Sequence, residues 1–159
     1  MTTSARWCAS SALKNIVANA DKGVPAYAVE KSLRVSEHHL SSIRMYHAAG
    51  GKFAMGTDAG TPFNYHGENA QELAYLVEYG LSPSEALVAG TSHAADLMGV
   101  ADEGAIADGM KADLLLVDGD PTKDIHMAAD KANHRTVYKA GKPFGAPRAA
   151  GAKAPLAAE

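Results

Sequence analysis

The sequence predicts an α/β fold in which helices dominate and a short β-rich segment follows them. Apolar residues recur at helical spacing through much of residues 13–98. One brief apolar run, "KFAMG" at 52–56, is bounded by glycines and is too short for a helix, so it reads as a buried strand. After Gly104 the text changes to strand-like runs stopped by glycine and aspartate turns. A single strand followed by helices cannot complete a sheet, so the order itself implies missing strands.

The elements follow in order. Leu13, Ile16, Val17 and Ala20 stand at i, i+3, i+4 and i+7, the stripe of a helix, which "DKGVP" breaks with Gly23 and Pro25. Residues 26–49 read as a second helix with Ile43, Tyr46 and His47 on one stripe, ended by "AAGG". Leu73, Leu76 and Val77 share one face of a third, which stops at Gly80. "SPSE" at 82–85 is a capping box, with Ser82 as N-cap, Pro83 at the first position and Glu85 at the third. It opens a helix through Ala89, and Thr91 is placed to cap another that runs to Met98 and closes at Gly99. Residues 114–117 form a strand core stopped by "DGDP", and "RTVYKAGKP" a second strand turning at Gly141. This sets expected units of 1–103, 104–143 and a tail of 144–159, whose Ala/Pro/Gly-rich text predicts disorder.

Composition excludes several function classes. Of 159 residues, 47% are hydrophobic and 21% charged, the balance of a globular domain that can bury a core. A net charge of −3 gives no footprint for nucleic acid or an anionic membrane. Asp102, Glu103, Asp108 and Asp113 are interspersed with glycine and alanine and read as solvated surface. The single cysteine, Cys8, allows no intrachain disulfide and reads as packing rather than a nucleophile. "MTTSARWCASSALKNIV" lacks the apolar stretch of a signal peptide, and no run approaches the ~20 residues of a membrane span. A cytoplasmic setting is the expectation.

Asp58, in "MGTDAG", is the leading candidate for chemistry. A carboxylate just past the C-terminal end of a buried strand lies where parallel α/β folds place catalytic groups. Gly56 and Gly60 would let the backbone turn sharply there. The same residues also suit a plain Asx-type turn, and the pattern alone leaves both open. His66 and Glu68 follow in "NYHGENAQEL". They read either as a polar loop with Glu68 near the positive end of a helix, or with His66 facing the pocket of Asp58. His38, His39, His47, His93, His126 and His134 form no metal-binding spacing, and neither a nucleophile elbow nor a P-loop occurs.

Two long stretches carry a resemblance. "AAGGKFAMGTDAGTPFNYHGENAQELAYLVEYGLSPSEALVAGTSHAADLMGV" and "GAIADGMKADLLLVDGDP", in that order and distance, resemble the C-terminal part of the amidohydrolase superfamily. The likeness is to its imidazolonepropionase-like and Xaa-Pro dipeptidase-like branches, and runs from about Leu13 to about Lys142. It implies the C-terminal fragment of a metal-dependent (β/α)₈ TIM barrel plus the C-terminal strands of a small accessory β-sandwich. It also implies a divalent metal, zinc foremost, and hydrolysis of an amide, cyclic amide or dipeptide-like bond. Asp58 then corresponds to the aspartate ending strand eight, both a metal ligand and the group that takes a proton from metal-bound water and returns it to the leaving nitrogen. His66 falls in the following loop, where it could contact substrate, and "RWCAS" reads as a trace of strand seven.

The departures from that pattern bear on activity. The family's H-x-H after strand one, its strand-four lysine and its histidines of strands five and six have no counterpart in these 159 residues. A barrel of this kind needs about 250 residues, and a catalytic zinc wants three protein ligands. The chain alone is therefore expected to be inactive, with an upstream half-chain as the partner that could complete it; exposed strand edges make a homo-oligomer a further expected partner. A non-catalytic binding or assembly module built on the same half-barrel scaffold is the alternative, marked by an apolar strand edge that drives self-association. A receiver-like phosphoacceptor role for Asp58 would need an acidic pair and a strand lysine that the sequence does not offer.

Overall fold

The computed structural model describes residues 6–8 and 10–145. Strand β1 (Arg6–Cys8) leads through helices α1 (Ser11–Ala18) and α2 (Ala26–Ala48) to β2 (Phe53–Met55). The two strands pair in parallel, Arg6 opposite Phe53 and Cys8 opposite Met55. Parallel neighbours need a long crossover, and the two helices provide it. "RWCAS" thus begins as a strand and "KFAMG" contains one, beside each other as the sequence order suggests.

Three helices follow: α3 (Gln71–Glu78), α4 (Pro83–Gly90) and α5 (Ser92–Met98). Their apolar faces meet β2 and α2 in one core, with Leu76, Ala86 and Ala89 almost wholly buried and Ile43, Phe53, Leu73 and Leu81 nearly so. The stripe read from Leu73 and Leu76 is therefore the core face of α3. Tyr46 stands edge-on to Phe53, with ring centroids 5.1 Å apart, and ties the end of α2 to β2.

The capping box forms as its spacing predicts. Ser82 Oγ accepts from Glu85 N (3.3 Å), and Glu85 Oε2 accepts from Ser82 N (2.7 Å). Ser82→Ala removes one of these partners and is expected to cost about 1 kcal/mol, read as a lower urea midpoint at unchanged slope. Thr91 does occupy the position before α5, but its hydroxyl donates back to Leu87 O (2.7 Å) and caps nothing. A hydroxyl one turn from a free carbonyl satisfies that acceptor instead.

Glu85 also accepts from His47 Nε2 at 3.0 Å, at the C-terminal end of α2. The His47 hydrogen bond first, and those from Ser82 next, hold its carboxyl down to about 2 from an ordinary 4.5. A lowered folded value means that the stabilisation is complete above pH 4.5 and is lost as pH falls through about 2. The side chain is half exposed, so screening limits the effect to less than about 1 kcal/mol. Glu85→Gln is expected to flatten this acid limb in urea unfolding between those pH values, and an unchanged limb would refute the assignment.

Beyond α5 the chain crosses to a small antiparallel sheet of β3 (Leu114–Val117), β4 (His134–Lys139) and β5 (Lys142–Phe144), with β4 in the centre. Gly104 makes that crossing possible. Its φ is +87°, and a Cβ there would stand 2.9 Å from the Thr91 carbonyl oxygen and 2.8 Å from Ala95 Cβ. Short helix α6 (His126–Ala129) anchors the segment, since Ile125 and Ala128 join the main core. Asp113 is committed to the sheet, taking hydrogen bonds from Lys139 Nζ and Ala140 N.

Residues 114–117 are not the buried core their composition suggests. Leu114, Leu115 and Leu116 are 37%, 42% and 48% exposed. An all-apolar strand normally signals cover on both faces; here its leucines are left partly exposed. The expected tail starts within this sheet, because Phe144 ends β5; residues 146–159 lie outside the described part.

Candidate active site

β1 and β2 run the same way, so Cys8 and Met55 stand side by side at one end of the sheet. Asp58 lies three residues past β2, exposed, with a left-handed backbone (φ 54°). Aspartate tolerates that region better than most residues. Its carbonyl accepts from Thr61 Oγ1 (3.0 Å), while its carboxylate makes no hydrogen bond among the described residues. The turn and the presented carboxylate therefore coexist, with the backbone closing the turn and the side chain left available.

A residue the sequence did not single out shapes this loop. Asn64, nearly fully buried, donates from Nδ2 to Thr57 O (2.6 Å), and its carbonyl accepts from Gly60 N (2.8 Å). Residues 57–64 thus close on themselves around one side chain. Gly60 takes a left-handed backbone at φ +102°, which glycine adopts without strain, and the His66 ring lies beside it, Nε2 3.5 Å from where a Cβ would be. Asp58 and His66 are both exposed on this loop system and share no hydrogen bond among the described residues. Glu68 is exposed two residues before the Ala70 cap of α3, within reach of that helix's positive end.

The second residue missed is Glu72, which is wholly buried. Its Oε1 accepts from Ser10 N (2.7 Å), and its Oε2 from Ser11 N (2.8 Å) and Ser11 Oγ (2.7 Å). Burial pushes its carboxyl upward, and these hydrogen bonds oppose the rise. Ser10 Oγ lies 3.2 Å from His39 Nε2, whose ring burial pushes down. A signal was available: Glu72 stands four residues before Leu76, on the buried face of α3.

A cavity of about 660 Å³ lies between Met55, Leu73, Leu87, Ile106 and Leu115, and Asp58 is not in its walls. Its apolar character follows from the same half-covered β3. Among the described residues, no group of three His, Cys, Asp or Glu could hold a metal ion. A catalytic zinc takes three protein ligands. The described residues therefore do not fit a metal by themselves, and Asp58 offers a single carboxylate ligand.

Two paired parallel strands joined through helices, with Asp58 exposed beyond the C-terminal end of β2, make this an α/β chain. The chain belongs to the amidohydrolase family, whose profile matches residues 3–144. It is similar to an imidazolonepropionase of Deinococcus deserti, with 35% identity over 94 residues, 58% of this chain and 24% of that protein. It is also similar to a Xaa-Pro dipeptidase solved with methionine in its active site (29% identity, TM-score 0.75, 88% of this chain and 34% of that one). A prolidase solved with N-methylphosphonate-L-proline aligns likewise, with 28% identity, a TM-score of 0.77, and 87% of this chain on 34% of that one. The chain thus spans 24% of the curated relative and 34% of each of these two solved chains.

Proposed function

We propose that this chain supplies the last strand-end carboxylate of an amidohydrolase that hydrolyses a C–N bond, in an amide, a cyclic amide or a dipeptide-like substrate. On this reading β1 and β2 are the final two strands of a (β/α)₈ barrel, and β3–β5 are C-terminal strands of an accessory sandwich. The observation that carries it is Asp58, held just beyond β2 with its carboxylate unengaged among the described residues. Family membership and the similarity to a prolidase and an imidazolonepropionase support the bond type.

Asp58 acts as general base and acid: its carboxylate accepts a proton from the attacking water and delivers it to the departing nitrogen. His66, on the adjoining turn, contacts substrate. A divalent metal, which the family resemblance implies, would take its other ligands from residues outside those described, and the chain alone is expected to be inactive. The test substitutes this chain for the matching segment of the Xaa-Pro dipeptidase, giving a joined protein. Hydrolysis of Xaa-Pro dipeptides by the joined protein supports the proposal. A folded, zinc-loaded but inactive joined protein counts against it.

The exposed leucines of β3 favour a second reading, an assembly module in which that edge pairs with another chain. Sedimentation separates the two: self-association that Leu115→Lys abolishes supports assembly, and a monomer at high concentration argues against it.

A further inference from the structure

We propose that Glu72 is a positioning residue that locks the start of α1, which follows β1, to the Asp58 loop after β2, so that the segments following the two strands are held as one unit. The inference rests on reading these strand ends as the site. Its test reads conformational coupling rather than hydrolysis.

Glu72 caps a helix to which it does not belong. Ser10, the N-cap residue of α1, makes no side-chain cap of its own, and the first amides of that helix donate instead to a carboxylate 61 and 62 positions away. Amides at a helix start carry partial positive charge, and an anion beside them is favoured. Burying a carboxylate is costly, and three donors on its two oxygens are what compensate for the lost water.

The same first turn of α3 reaches in other directions. Gln71 Nε2 donates to Ala129 O at 3.1 Å, fastening α6. Going back toward the strand, Glu72 N donates to Asn69 O, Gln71 N to Glu68 O and Glu68 N to Tyr65 O. Gly67 N donates to Asn69 Oδ1. Asn64 then grips Thr57 and Gly60 around Asp58. A continuous run of hydrogen bonds and peptide units therefore joins the Asp58 loop to Glu72, and Glu72 to Ser10 and Ser11. A role in α1 stability alone would not require the Asp58 loop to respond.

Amide hydrogen exchange on the full chain tests this, with Glu72→Gln. Glutamine keeps one acceptor oxygen and turns an NH₂ toward donors, so at least one of the three bonds fails. The expected result is faster exchange, about tenfold, at Ser10 and Ser11 and also at Gly60 and Asn64, with Ala89 in the core unchanged. Faster exchange at Ser10 and Ser11 with Gly60 and Asn64 unmoved would overturn the proposal, leaving Glu72 a cap and nothing more. A rise at all sites including Ala89 would overturn it equally, as a general loss of stability. If Glu72→Gln does not fold, Ser11→Ala, which removes only the hydroxyl contact and keeps both backbone bonds, is judged by the same pattern. Failure of the joined enzyme to hydrolyse substrate would undo the proposed function and leave this result standing.

Discussion

Asp58→Asn is expected to lower C–N bond hydrolysis by the joined enzyme about 10²- to 10⁴-fold, the usual worth of a positioned general base. The same change is expected to leave stability within about 0.5 kcal/mol. Both halves follow from the geometry. Asparagine adopts the left-handed backbone that Asp58 occupies at φ 54° as readily as aspartate does. The side chain is exposed and forms no described hydrogen bond, so the fold loses no contact. What disappears is the group that can take and return a proton. Measurement of kcat/KM beside urea unfolding separates the two effects. Retained activity, or a large fall in stability, would remove Asp58 from the role assigned to it.

Leu76→Ala is expected to destabilise the chain by about 2–5 kcal/mol. Leu76 is fully buried on α3, inside the cluster that also holds Phe53, Leu73 and Ala86. Truncation there removes apolar contact and leaves a void that helices fixed by their own hydrogen bonds fill poorly. Domains of ordinary size have about 5–15 kcal/mol in total, so the variant should stand close to unfolding. Ile106→Ala is the control. Ile106 is 90% exposed, and its truncation should change the urea midpoint little. Comparable losses in both variants would mean that the core lies elsewhere.

Particular residues show why some of this was legible in the sequence. Helices announced themselves because their signals are local: the Ser82–Glu85 box needs four residues, and the stripe of Leu73 and Leu76 needs one turn. Strand β2 was readable from its length and its glycine borders, and with it the position of Asp58 just past its end. Glu72 escaped because its partners, Ser10 and Ser11, are brought to it only by the parallel pairing of β1 with β2. Asn64 escaped because a loop asparagine that closes on Thr57 looks like any other loop asparagine. The leucines of β3 misled for the opposite reason. Their apolar character states that the strand is suited to burial, whereas burial depends on a second layer that other residues must provide.

The claim that this chain holds one carboxylate of a site completed by other residues is tested most directly by the metal content of the purified chain. After exposure to zinc and exhaustive dialysis, the account predicts far less than one equivalent retained and no hydrolysis of Xaa-Pro dipeptides. One equivalent that resists dialysis, accompanied by hydrolysis that Asp58→Asn abolishes, would contradict it.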